Sequence, residues 1–220
     1  MNKTKVMIQV DIWSDVRCPF CYIGKHRFES ALENFSHKED VEIEWHSFQL
    51  DANIETNPEI STLEYLAKAK NISAEQAKEM FAGAQKMASE TGLEMNLETS
   101  VVANSYKSHL LIQLGKSKNL ANEVEEALFK AHFTDAKNID DKEVLAEIAK
   151  FLGIAETEAR EALNSSNFAA AVKEDELQAQ RIGVRGVPFF VFNNKYAVSG
   201  AQASDTFLEV LQKVWQETSA

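Results

Sequence analysis

Strand-like alternation is confined to the two ends of this 220-residue chain, and a long helical stretch separates them. At the start, Val6, Ile8, Val10 and Ile12 alternate with polar or mixed neighbours, the period of a half-buried strand. Val41-Glu42-Ile43-Glu44-Trp45-His46-Ser47-Phe48 alternates again. Between the two, Pro19 to Phe35 reads as a helix with Phe28, Ala31, Leu32 and Phe35 on one face. Returning through a helix implies that the two strands run parallel. Near the other end, Pro188-Phe189-Phe190-Val191-Phe192 and Lys195-Tyr196-Ala197-Val198 flank an Asn193-Asn194 turn, and a helix follows from Ser204 to Trp215. The order β-α-β, helical block, β-β-α predicts an α/β fold whose main domain is discontinuous. Residues 1–57 and 183–220 form it, and residues 58–182 form an inserted helical domain.

Inside the block, Ser73 with Gln76 predicts a capping box for a helix carrying Met80, Phe81, Ala84 and Met87, with Gly92 at its C′ position. Asp140 with Glu143 resembles a second box, leading into Val144, Leu145, Ile148, Ala149 and Leu152 before Gly153. Val101–Lys116, Leu120–Phe133 and Asn167–Ile182 read as three more helices. Their Met and Phe stripes read as core, because amphipathic spacing alone explains them.

The two cysteines of the chain stand as Cys18-Pro19-Phe20-Cys21, directly after the first strand and at the start of the first helix. Positions i and i+3 share a helix face, so the two sulfurs can meet. Cys18 falls at the helix N-terminus, where unpaired N–H groups and the macrodipole favour a thiolate. Pro19 suits that start, since it has no N–H to leave unsatisfied. A structural zinc site would need two more ligands from five scattered histidines or from carboxylates, so redox chemistry is the stronger reading and no metal is expected. A dithiol carries its own electrons, so no cofactor is expected either.

A net charge of −11 opposes nucleic acid and anionic membrane surfaces. Apolar residues after the basic Met1-Asn2-Lys3-Thr4-Lys5 are interrupted by Gln9 and Asp11, which fits neither a secretory segment nor a membrane span. The expected location is the cytoplasm, where a dithiol cycles instead of serving as a fixed staple.

Gly183-Val184-Arg185-Gly186-Val187-Pro188 opens the third strand with a proline, which cannot donate to a strand ladder. Together with Asp15-Val16-Arg17-Cys18-Pro19-Phe20-Cys21-Tyr22-Ile23-Gly24, Asn104 to Leu111, Ala127 to Phe133 and Val198-Ser199-Gly200-Ala201-Gln202, it resembles the DsbA-type branch of the thioredoxin superfamily, and within it the FrnE-like oxidoreductases. These pieces span nearly the whole chain, and the first and last motifs are the specific ones. The resemblance implies a thioredoxin fold with an all-helical insertion between its second and third strands. It implies a cis Val187–Pro188 bond facing the dithiol, with the Val187 backbone presented to an extended substrate. It also implies catalytic Cys18 and Cys21, redox tuning by Pro19 and Phe20, and protein thiols or glutathione as partners. Members of this branch often carry tryptophan, and periplasmic DsbA histidine, where this chain has Phe20. An apolar ring adds no charge to stabilise the thiolate, which predicts a less oxidising pair than DsbA. The same split fold resembles kappa-class glutathione transferases and 2-hydroxychromene-2-carboxylate isomerases, so a glutathione-dependent transferase or isomerase is the alternative. A binding module with an idle or metal-loaded dithiol is a third.

Around these motifs, Ser14 and Asp15 read as turn or cap residues, with proton transfer as the sharper role for Asp15. Arg17 reads as a solvated side chain beside the motif, with a local electrostatic effect on the sulfur as its other reading. His46 and His132 read as satisfied structural histidines. Asn104 and His109 are expected to face the active-site cleft by resemblance alone.

Overall fold

The computed structural model describes residues 7–219; Val6, Lys3 and Lys5 lie outside them. Four strands form one sheet of order β2-β1-β3-β4, built from β1 (Ile8–Ser14), β2 (Val41–Ser47), β3 (Phe189–Phe192) and β4 (Tyr196–Ser199). β1 pairs with β2 in parallel, while β3 is antiparallel to both β1 and β4. The alternation read in the sequence has a direct structural meaning. Ile8, Val10, Ile12, Phe190 and Phe192 point to one face, where they pack with α1 (Pro19–Glu33) and α9 (Ser204–Ser219) through Phe28, Ala31, Phe207 and Leu211. Trp13, Phe189 and Val191 point to the other face, against Ala179 of α8 (Ser166–Arg181) and Val184. The hairpin turns on Asn193 and Asn194, both at left-handed φ (46° and 53°), which asparagine tolerates better than most residues.

Between β2 and β3 lies an all-helical segment: α2 (Thr62–Lys70), α3 (Ala74–Glu90), α4 (Tyr106–Ser117), α5 (Ala121–Phe133), α6 (Lys142–Phe151), α7 (Glu156–Ala162) and α8. The Ser73–Gln76 capping box forms in both directions, and Gly92 takes φ +79° beyond the end of α3. Three local readings need correction. The cap of α6 is Asp141, which accepts from Glu143 N–H at 2.7 Å. Asp140 is instead held by Thr56 Oγ1 and Lys107 Nζ, so its carboxylate is not free to cap. α4 starts at Tyr106 rather than at 101, because Val102 is drawn into a bridge with Asn57 (N to O 2.8 Å). α2 was not singled out in the sequence, although Ser61 and Glu64 have capping-box spacing and Ser61 Oγ does accept from Glu64 N–H.

A buried polar clasp ties the sheet to the insertion. His46 of β2 sits between two carboxylates, with Nδ1 at 2.8 Å from Asp175 of α8 and Nε2 at 3.1 Å from Asp11 of β1. Asp175 also accepts from Ser47 N–H and from Gln113 Nε2 of α4, and the Trp13 ring stacks on His46 at 4.5 Å. His46 is thus the satisfied structural histidine its sequence context suggests. Burial works against its charge, but hydrogen bonds to Asp11 and Asp175 outweigh it and raise the pKa; burial is likewise outweighed at Asp175, whose carboxyl is lowered by His46.

A raised histidine contributes stability that is complete below its unfolded value, about 6.5, and is lost as pH rises through the folded value. A lowered aspartate contributes stability present above about 3.9 and lost as pH falls through its folded value. Breaking such a buried pair costs about 3–5 kcal/mol. His46→Gln should therefore lower the unfolding free energy most in mildly acidic buffer, with a difference from wild type that shrinks as pH is raised. Urea titrations across pH check this, and a difference that grows with pH would show that His46 is neutral in the clasp.

Candidate functional site

The loop between β1 and α1 is set by Asp15. Its carboxylate is fully buried and accepts from Arg17 N–H at 3.2 Å and from Leu50 N–H at 2.8 Å, while its backbone carbonyl accepts from Cys18 N–H at 2.8 Å. The turn role read for Asp15 is therefore real, and it reaches further by pinning the segment after β2 beside the dithiol. Cys18 is the N-cap of α1, with extended φ and ψ and no side-chain cap bond, and Pro19 occupies the first turn. Cys21 lies one turn on, on the same side. Both cysteines are buried, Cys18 at 4 % exposure and Cys21 at 1 %, so the expected difference in exposure exists but is small. Burial, reinforced by the Cys18 sulfur beside it, pushes the Cys21 thiol well up.

The Val187–Pro188 bond is cis. Val187 O lies 3.5 Å from Cys18 Sγ, so the backbone before the proline faces the helix-terminal sulfur. Pro188 also explains Gly24 of the Cys18–Gly24 motif. A Cβ built on Gly24 would stand 2.8 Å from Pro188 Cγ, closer than carbon atoms can approach.

Beside Cys18 opens a cleft of about 530 Å³ between the dithiol loop and the helical segment. Arg17, Phe20, Leu50, Tyr65, Phe81 and Val187 are among its lining residues, and His132 stands in its wall. Phe20, Leu50 and Met80 are exposed at the cleft, an unusual concentration of large apolar side chains in contact with solvent. Of the α3 stripe read as core, Ala84 is fully buried and Phe81 and Met87 pack half-buried against the core, Phe81 also lining the cleft, but Met80 is exposed at the cleft. Arg17 is not a solvated side chain. Its guanidinium lies 5.3 Å from the Tyr65 ring centre, and Nη1 is buried without a hydrogen-bond partner. His132 is 4 % exposed and its Nδ1 likewise has no partner, so it is not the satisfied histidine expected. Burial, aided by Arg17, drives its pKa down to about 3 and keeps the ring neutral.

Asn104 and His109 do not reach this cleft. Asn104 bonds Gln49, Tyr106 N–H and the Ile54 carbonyl in a separate, shallower pocket. His109 is fully buried behind Asp15, with Nε2 at 3.6 Å from Oδ1, a charge contact too long for a hydrogen bond. Glu125, which sequence reasoning passed over, is buried nearby, and burial pushes its carboxyl up to about 7. Its register with Leu128, Phe129 and His132 placed it on the apolar face of α5 and was the available signal.

Among the described residues two groups have metal-like spacing, Asp11/Glu44/His46 and His26/Glu29/Glu126. Partners within the protein already engage both. His46 bridges two aspartates in the first, and the Lys25 ammonium bonds Glu29 and Glu126 in the second.

The sequence profile of the DSBA-like thioredoxin domain matches residues 9–212. The chain belongs to that family. A probable DsbA oxidoreductase from Streptomyces coelicolor is 33% identical and superposes with a TM-score of 0.89 over 96% of this chain and 91% of its own. The Bacillus subtilis protein YwbO is 25% identical over 91% of this chain and 94% of its own length. The cytosolic disulfide reductase DsbM from Pseudomonas aeruginosa, solved with GSH, shares the fold at 16% identity, with a TM-score of 0.69 over 94% of this chain and 99% of its own. Against this DSBA-like frame the Gly24 contact yields a direct expectation. Gly24→Ala should part α1 from Pro188, cost about 1–3 kcal/mol by overpacking, and slow disulfide exchange. Thermal unfolding and an exchange assay check both effects, and a variant unchanged in each would show that Pro188 can yield without consequence.

Proposed function

We propose that this DSBA-like chain is a dithiol–disulfide oxidoreductase or isomerase that works through Cys18 and Cys21 on protein or low-molecular-weight thiols. The observation that carries the reading is the pairing of a helix-capping Cys18, its sulfur beside the Val187 carbonyl, with a Cys21 buried one turn behind it. The Cys18 thiolate attacks a substrate disulfide; its S–S bond breaks, a Cys18–substrate disulfide forms, and one substrate thiolate leaves. Cys21 then loses its proton and attacks Cys18 Sγ, releasing the second thiolate and leaving a Cys18–Cys21 disulfide. Two electrons pass to the substrate, and the reverse sequence oxidises a dithiol. The Val187 backbone and Pro188 line the approach to Cys18, and Pro19 and Phe20 set the surroundings of the sulfur. Among the described residues no helix is long and apolar enough to cross a membrane, and the reading places the cycle in the cytoplasm with protein thiols or glutathione as partners.

Cys18 should react with an alkylating agent before Cys21, whose thiol is the more buried and is pushed up. Cys18→Ser should abolish exchange. Cys21→Ser should still attack disulfides but accumulate mixed disulfides, visible by intact mass. Free turnover of Cys21→Ser with glutathione would replace the dithiol cycle by a monothiol, transferase-like mechanism.

The potential should fall between those of thioredoxin and DsbA, within about −270 to −120 mV and nearer the reducing end. Phe20 brings no charge to the sulfur, and the neutral His132 brings none from the cleft wall. Equilibration against glutathione buffers measures it, and a value as oxidising as DsbA would overturn this account of thiolate stabilisation.

A further inference from the structure

The cleft beside Cys18 holds two polar groups that nothing inside the protein satisfies. Arg17 Nη1 and His132 Nδ1 are both buried without a hydrogen-bond partner, and both residues line the cleft. Buried donors and acceptors are nearly always paired, and leaving one unmade costs about 1–3 kcal/mol, more for a charged group. A guanidinium recognises a carboxylate through parallel N–H groups, and among the described residues no carboxylate forms an ion pair with Arg17. Asp51, the acidic residue in the same lining, takes its hydrogen bond from Tyr65 Oη. Lys70 adds a second positive side chain to the lining. The other walls are largely apolar, with Leu66, Met80, Phe81, Leu97 and Phe133 among them, and a volume of about 530 Å³ suits a small organic molecule.

We propose that this cleft binds a small disulfide with an apolar, ring-sized body and a carboxylate, the carboxylate held by Arg17 and the disulfide delivered to Cys18. The assignment rests on the dithiol reading and narrows its substrate class. In a chain of net charge −11, a local cation in the wall of an apolar cleft is what lets an anionic molecule be drawn in. His132, neutral and unpartnered, supplies a further hydrogen bond to the polar end of the ligand without competing for charge. The first chemical step is the one given above: the ligand S–S bond breaks, Cys18 takes one half as a mixed disulfide, and the other half leaves as a thiolate.

Two chromogenic aromatic disulfides test this in single-turnover stopped flow with the reduced, full-length protein. Dithiobis(nitrobenzoate) is anionic, dithiodipyridine is neutral, and each reports its released thiol by absorbance. Arg17→Gln should lower the ratio of the anionic to the neutral rate constant about tenfold, the loss of one charge-assisted hydrogen bond, and Arg17→Lys should recover part of it. For the wild type, normalised to the rate of glutathione with each reagent, dithiobis(nitrobenzoate) should be preferred over the aliphatic anion dithiodiglycolate. Equal slowing of both aromatic reagents in Arg17→Gln would show that Arg17 acts on the sulfur and not on the ligand, and would overturn the proposal; so would no slowing, or no preference for the aromatic anion. A wild-type protein that exchanges with none of the three reagents overturns the dithiol reading itself.

Discussion

Helix α1 is shared by two hydrophobic cores, and the rest of the structure depends on how it is held between them. Its first turns put Cys21, Tyr22 and Ile23 into the core of the helical segment, with Phe129 and Phe133 stacked against the Tyr22 ring. Its last turns put Phe28 and Ala31 into the core under the sheet, with Phe190 and Phe207. An ionic clasp fixes the crossing. Glu126 of α5 takes hydrogen bonds from Tyr22 Oη, Lys25 Nζ and His26 Nε2, and Lys25, only 2 % exposed, is balanced by Glu29 as well. A buried ammonium needs such compensation, and the share that Glu126 supplies is available only when α1 and α5 sit in one relative position. The sulfur at the N-terminus of α1 is thereby held in place relative to both the sheet and the insertion.

That arrangement explains why the two thiols have unlike surroundings only one turn apart. Cys18 caps the helix and faces a cleft, whereas Cys21 points into packed apolar side chains that disfavour its thiolate. Behind the loop, Asp15, His109 and Glu125 form a cluster of titratable groups cut off from water. Burial would raise the Asp15 carboxyl, yet His109, the Leu50 N–H and Arg17 together bring it below the ordinary range. Asp15 stays ionised there and keeps its two backbone N–H bonds, which hold the loop in shape around the dithiol.

The strands, the parallel pair, the hairpin and the helical insertion were legible because each rests on a local period: two for β1 and β2, three to four for the helices, and an Asn-Asn pair for the turn. The dithiol was legible because it is a contiguous motif, and Val187–Pro188 because a family pattern pointed at it. What the sequence did not disclose depends on contacts between elements distant in the chain. Arg17 reads as solvated until Tyr65 of α2 is found against it, and Met80 reads as core until the cleft is found open beside it. His109 and Asn104 fit a motif that resembles the active-site region of relatives, but one is sealed behind Asp15 and the other turns toward Gln49. Helix boundaries slipped where tertiary hydrogen bonds outbid local propensity, as at Val102 and Asp140.

The division of labour follows from these two kinds of information. The two sulfurs belong to a short segment, from Asp15 to Gly24, whose turn bonds are local but which is also held from afar by the Leu50 N–H on Asp15 and by Pro188 against Gly24. The roof over Cys18 comes from α2, α3 and α5, which present side chains such as Tyr65, Phe81 and His132 to the cleft. In the proposed reading these lining side chains set which molecules reach Cys18, while Phe129 and Phe133 of α5 hold the helix that carries it. Arg17 is where the two parts join, since its backbone N–H belongs to the Asp15 turn while its guanidinium lies on Tyr65 in the cleft. In the proposed reading, a charge at that position acts on recognition from within the segment that carries the dithiol.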